Sequence, residues 1–338
     1  MLDPPGRLVR IDADALHALE RGCALLSSGA ENPWMARMSA AVAIGEQGAV
    51  DVVTLDALDD DTLVMPCGQI GSARLAVERV WSGDEGAVLR EAVERRTGGR
   101  VAALMPFEIG GANGLLPITW AARLGLPLVD ADGMGRSFPS LRQQAMSLAG
   151  ERCCPLWVTD GRANIVAVEC EDDATAERLA LAAAGGMGGI GVVALHTMSA
   201  ARARDAAVRG SLSGALALGR ASPETLPTVF EGWVTAVDRR AGEGQVVIRD
   251  GSRWMRLELR DGFLLALEDG AVVASVPDVI AVIAVESGEP IALDELRHGR
   301  EVAVSVLPVP AVWATPEGLA LAGPSAFGLD VDHWPYGG

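Results

Sequence analysis

Between residues 100 and 148 the chain repeats one pattern: an apolar run of strand length, a loop rich in glycine, then a stretch with helical spacing. Residues 100–107 and 127–130 read as strands, and 115–124 and 141–148 as helices. The strand runs are apolar throughout and do not alternate with polar residues, so both of their faces need cover. Helices between successive strands supply that cover, which predicts an α/β amino-terminal domain with a mainly parallel sheet.

The flanking text extends the pattern. Asp12 and Asp14 can cap a helix carrying Leu16, Leu19, Cys23 and Leu26, and Pro33 can open a second one. Strand-like pieces fall at 50–55, 62–67, 165–168 and 192–195, and helical spacing at 82–97, 174–184, 200–208 and 211–218. From about residue 228 the pattern changes to short β-type runs separated by Gly, Asp and Pro. These runs predict a largely antiparallel β carboxy-terminal domain, a sandwich or a barrel. A chain of 338 residues suits two domains. The expected division is 1–165, carrying the candidate loops, and 166–338, helical at first and then β-rich.

All 28 basic residues are Arg, and no Lys occurs. Mechanisms that need a lysine amine, including pyridoxal phosphate chemistry and phosphate-loop catalysis, are therefore excluded. The net charge of −17, with Arg scattered singly, argues against nucleic acid or an anionic membrane as partner. Apolar runs fall short of the roughly 20 residues of a membrane span and the first residues are charged, so a cytoplasmic protein is expected. The five cysteines form no C-x-x-C pair, and adjacent Cys153 and Cys154 read as small buried hydrophobes. Residues 186–191 match G-x-G-x-x-G, but a helix precedes them and a strand follows. A dinucleotide site needs the reverse order, so no NAD is expected. Apolar β-runs could pair between subunits as a homo-oligomer.

Two loops follow predicted parallel strands, and ligands of open α/β sheets gather at that rim. The first, 105–114, offers Glu108, Gly110, Gly111 and Asn113; the second, 129–139, offers Asp130, Asp132, Gly133 and Arg136. Glu108, Asp130 and Asp132 can serve as acid or base, and Asp130 with Asp132 can hold a divalent metal. Asn113 and Arg136 can orient a small carbonyl substrate, while the glycines let backbone N–H groups approach it. His196, at the end of a predicted strand, is the best placed histidine for carrying a proton. The turn at 27–33 can lay Glu31 or Asn32 against a ligand. The same Asp and Gly residues also suit ordinary turn and helix-cap chemistry.

The longer strings carry a family resemblance. They are Glu108-Ile-Gly-Gly-Ala-Asn113, the segment from Leu124 to Arg136 with Phe138-Pro139, Met187-Gly-Gly189, Val276-Pro-Asp278, and the tail Trp313-Ala-Thr-Pro-Glu-Gly-Leu319 with Gly323-Pro324 and Ala326-Phe-Gly328. Over nearly its whole length the chain resembles the S-methyl-thiohydantoin desulfurase family, which is associated with hydantoinase and oxoprolinase genes. The resemblance implies an α/β domain followed by a β-rich one. It further implies hydrolysis of a carbon–sulfur bond on an S-methylated thiohydantoin ring, with release of methanethiol. The chain departs from the family pattern at 27–32, at Ser140 and at 259–263. Those departures keep open a second expectation, a binding or accessory subunit without catalysis.

Overall fold

The structure, a computed structural model, describes residues 7–76, 79–240 and 243–336. Its first layer is a sheet whose strands run in the order Arg7–Ile11, Val50–Val53, Leu128–Val129, Val101–Pro106, Leu63–Gly71, Ile190–Ala194, Leu156–Thr159 and Ile165–Val168. The central pairings, from Val50–Val53 to Leu63–Gly71, are parallel. The flanking pairings are antiparallel. The predicted α/β sheet is present, and Val101–Pro106 shows why it must be covered: five of its six residues are buried. The helix Leu116–Leu124 covers it and ends at Gly125 in the left-handed region, where its N–H closes the last turn on Ala121 and Ala122.

One predicted helix shrinks. Of residues 141–148 only Ala145–Leu148 is helical, because the side chain of Gln143 accepts the Ser140 N–H at 3.0 Å and holds 140–143 as a turn.

The second layer is a seven-stranded antiparallel sheet curled into a half-barrel. Its order is Ala271–Ser275, Phe263–Glu268, Arg253–Arg260, Glu243–Asp250, Thr228–Arg240, Glu301–Leu307 and Val279–Ala284. Along Arg253–Arg260 buried and partly exposed residues alternate, as expected for a strand with one face on a core. Phe230, Val246, Leu257, Phe263 and Val304 fill that core.

A short amino-terminal turn locks the two layers together. The helix Ala13–Leu26 ends at Ser27, and Ser28 and Gly29 both take positive φ, 52° and 79°. That reversal presents the Ser28 carbonyl to the Phe263 N–H at 2.8 Å. The Ser28 hydroxyl reaches the carbonyls of Phe263 and Ile280 at 3.2 and 2.9 Å. A Cβ on Gly29 would stand 2.4 Å from the Phe263 ring, so only glycine fits.

Candidate functional site

Along this seam lies a cavity of about 510 Å³. One wall is built from the carboxyl ends of the parallel strands and the loops after them, including Gln69, Phe107, Glu108, Asn113, Met134, Arg136 and Ser137. The other wall is the turn at 260–264 with Val276 and Phe327. The cavity thus opens at the rim of the sheet, the place where ligands of open α/β sheets gather.

Glu108 follows the strand Val101–Pro106 and is buried, accepting the Ser137 hydroxyl at 2.9 Å. Burial holds its carboxyl well above the ordinary carboxylate range, and the charges of Glu31 and Asp132 push the same way. Hydrogen bonds from Ser137 and Asn113 only partly oppose that. Glu31 enters from the 27–31 turn and accepts the Ala112 N–H at 2.5 Å. Burial raises it too, against that hydrogen bond. The approach depends on Gly111, at φ 64°, since a Cβ there would meet the Glu31 carboxylate at 2.4 Å. Two carboxyl groups thus line one cavity, each able to hold a proton more tightly than usual.

Asn113 is fixed by the strand Leu63–Gly71: its Oδ1 accepts the Gln69 N–H at 2.6 Å and its Nδ2 donates to the Gln69 carbonyl at 3.2 Å. Arg136 donates to the carbonyls of Ser137, Pro277 and Asp278 at 2.9, 2.5 and 2.7 Å. Its guanidinium stacks 4.7 Å from the Phe138 ring centre. Burial draws Arg136 down to about 10, so it keeps its charge at neutral pH beside the carboxyl groups. At the mouth, Glu177 accepts the Leu141 N–H and the Ser140 hydroxyl at 2.7 and 3.0 Å. Ser140, one of the departures from the family pattern, thereby shapes the entrance.

Glu108, Asn113 and Arg136 therefore meet in one cavity, while the other candidates are placed elsewhere. Asp132 does not line it: its carboxylate accepts the N–H groups of Ile109, Met134 and Gly135 at 2.8 to 3.0 Å and braces the two loops from within. Burial raises Asp132 to about 7 despite those donors. Asp130 accepts the N–H and hydroxyl of Ser213 at 2.9 and 2.7 Å, in the first turn of the helix Ser211–Arg220. The oxygens of Asp130 and Asp132 are thus directed at different donors. Among the described residues no group of three or more His, Cys, Asp or Glu is placed to hold a metal ion.

His196 is buried outside the cavity, its Nε2 3.4 Å from the Ser147 hydroxyl. Burial lowers it to about 4, leaving it neutral at neutral pH. Gly110 and Gly133 are packing glycines, since a Cβ on either would strike Ser137 or the Gln144 side chain.

Sequence reasoning weighed Glu31 without selecting it, marked 259–263 as a departure from the family pattern without placing it at the site, and missed Gln69 and Ser137. The clue for Glu31 was a carboxylate next to a tight turn. Gln69 and the 260–264 turn become neighbours of Glu108 only through tertiary contact.

An α/β domain joined to a β half-barrel, with a cavity of paired carboxyl groups at the seam, defines the class. The chain belongs to the S-Me-THD-like family: the N-terminal domain of that family matches residues 14–170 and its C-terminal domain residues 171–336. A crystal structure of a protein from Chromobacterium violaceum is similar in fold, with a TM-score of 0.83 at 23% identity over 97% of this chain and 100% of that one. No curated protein matches the chain. No helix among the described residues is long and apolar enough to cross a membrane.

Proposed function

We propose that the seam cavity hydrolyses a small cyclic amidine of the S-methylated thiohydantoin class. The observation that carries this reading is the pair Glu31 and Glu108, both raised by burial and electrostatically coupled, in a cavity that also holds Asn113 and the cationic Arg136. Water adds to the ring carbon bearing the S-methyl group, and the carbon–sulfur bond then breaks to leave a ring carbonyl and methanethiol. Glu108, the more deeply buried of the two, is assigned as the acid that protonates the ring nitrogen or the leaving sulfur. Glu31 is assigned as the base that takes a proton from water. Arg136 stabilises negative charge on the ring carbonyl, and Asn113 holds the acid in place.

Family membership supports this substrate class but does not by itself supply the reaction. The test is methanethiol release from an S-methylated thiohydantoin, followed with a thiol-trapping dye. Glu108→Gln and Glu31→Gln are each expected to lower kcat about 100-fold or more, the usual contribution of one acid or base. Unaltered turnover in both variants, or tight binding with no turnover in the wild-type chain, would defeat the catalytic reading. The latter result is the one expected of an accessory binding subunit.

A further inference from the structure

Away from the cavity, the strands Leu156–Thr159 and Ile165–Val168 form an antiparallel hairpin in which Leu156 faces Val168 and Trp157 faces Ala167. Continued by two residues, that register brings Cys154 opposite Cys170. The two sulfurs stand 3.2 Å apart, and both residues are partly exposed. Arg152 holds the far side of the gap through the Cys170 carbonyl at 2.6 Å. The backbone is thus already arranged for a bond between the two side chains. The neighbouring Cys153, by contrast, is buried, and its N–H is bonded to Asp173 at 3.3 Å.

We propose that Cys154 and Cys170 are a thiol modification site that closes reversibly to an intramolecular disulfide. The co-reactant is a low-molecular-weight disulfide such as oxidised glutathione. The thiolate of one cysteine attacks it, forming a mixed disulfide and expelling one glutathione thiolate. The second cysteine thiolate then attacks the protein sulfur of that mixed disulfide and expels the other. Two protein thiols lose two protons and two electrons, and one glutathione disulfide becomes two glutathione thiols. Burial, aided by the hydrogen bond and charge of Cys154, pushes the Cys170 thiol up to about 11. Closure is therefore slow at neutral pH and faster as the thiolate fraction grows.

The full chain is incubated with oxidised glutathione at about pH 8.5, where more thiolate is present, then denatured and alkylated with N-ethylmaleimide, and its intact mass is measured. Two of the five thiols are expected to escape alkylation. Cleavage after Arg should then yield peptide 153–162 joined to peptide 163–178, with fragmentation assigning the bond to Cys154. The link is expected to persist in Cys153→Ser and to vanish in Cys170→Ser. Five alkylated thiols in the wild-type chain would overturn the proposal. So would a bond from Cys153, a covalent dimer on a non-reducing gel, or a glutathione adduct that never closes. The first measurement needs no variant, so a folding defect cannot obscure it.

Discussion

Ser28 and Phe263, 235 residues apart, are joined by two hydrogen bonds: the Phe263 N–H donates to the Ser28 carbonyl, and the Ser28 hydroxyl donates to the Phe263 carbonyl. Because Phe263 also lines the cavity, this joint sets both the domain seam and one wall of the site. The segment that departs from the family pattern at 27–32 is therefore the hinge pin of the molecule.

Ser28→Ala removes a fully buried hydroxyl that donates to the Phe263 or Ile280 carbonyl and accepts the Ile280 N–H at 3.3 Å, leaving that donor and one carbonyl short of a partner. A loss of about 2 kcal/mol in unfolding free energy is expected in urea titration. Gly29→Ala acts on the site instead. It meets both the left-handed φ and the Phe263 ring, so ligand affinity in the cavity should fall along with stability.

The carboxyl pair predicts a displaced pH profile. Glu31 must be ionised to act as base, and its raised pKa moves the acidic limb of kcat/KM above the ordinary carboxylate range. Glu108 must be protonated to act as acid, so activity is lost again as the pH rises through its own raised value, well above the ordinary carboxylate range. The two limbs belong to the coupled pair. In the residual activity of Glu108→Gln the alkaline limb should be missing. A wild-type profile whose acidic limb lies in the ordinary carboxylate range, or that has no alkaline limb, would contradict the assignment.

Asp132 is expected to matter for stability before chemistry. Asp132→Ala leaves the N–H groups of Ile109, Met134 and Gly135 without their acceptor in a buried setting. A cost of about 3 kcal/mol or more is expected, measured as a lower urea midpoint at unchanged slope. Asp130→Ala, which frees only the N–H and hydroxyl of Ser213, should cost about 1 kcal/mol, as for a lost helix cap. Equal costs for the two substitutions would contradict this division of labour.

How far the sequence could be read follows from the range of each interaction. The parallel strands were legible because runs such as Val101 to Met105 are apolar throughout, and the β-rich carboxy-terminal domain because its short β-type runs are punctuated by Gly, Asp and Pro. Glu108, Asn113 and Arg136 were found because they sit in glycine-rich loops at strand ends. Asp130 and Asp132 sit in the same kind of loop, yet an aspartate that braces backbone N–H groups is written with the same letters as one that binds a ligand. The second wall of the cavity could not be placed for another reason: 27–32 and 259–263 each stood out as departures from the family pattern, but Phe263 reaches the site only through its pairing with Ser28, and neither neighbourhood spells out that pairing.

The last prediction concerns acid sensitivity and His196. In the folded chain burial lowers this imidazole from 6.5 to about 4, with the charge of Asp173 opposing the shift. The unfolded chain takes up the proton below about pH 6.5, whereas the folded chain resists it until about pH 4. Over that interval the unfolded state binds more protons, so stability is fully present above the upper value and is lost as the pH falls. The shift corresponds to about 3 kcal/mol between neutral pH and pH 4. His196→Asn keeps a side chain that tolerates the local φ of 46° and has no group to titrate. Urea titrations at a series of pH values should show a shallower fall for the variant, with the two curves diverging below about pH 6.5. Parallel curves would mean that the acid sensitivity of the fold resides elsewhere.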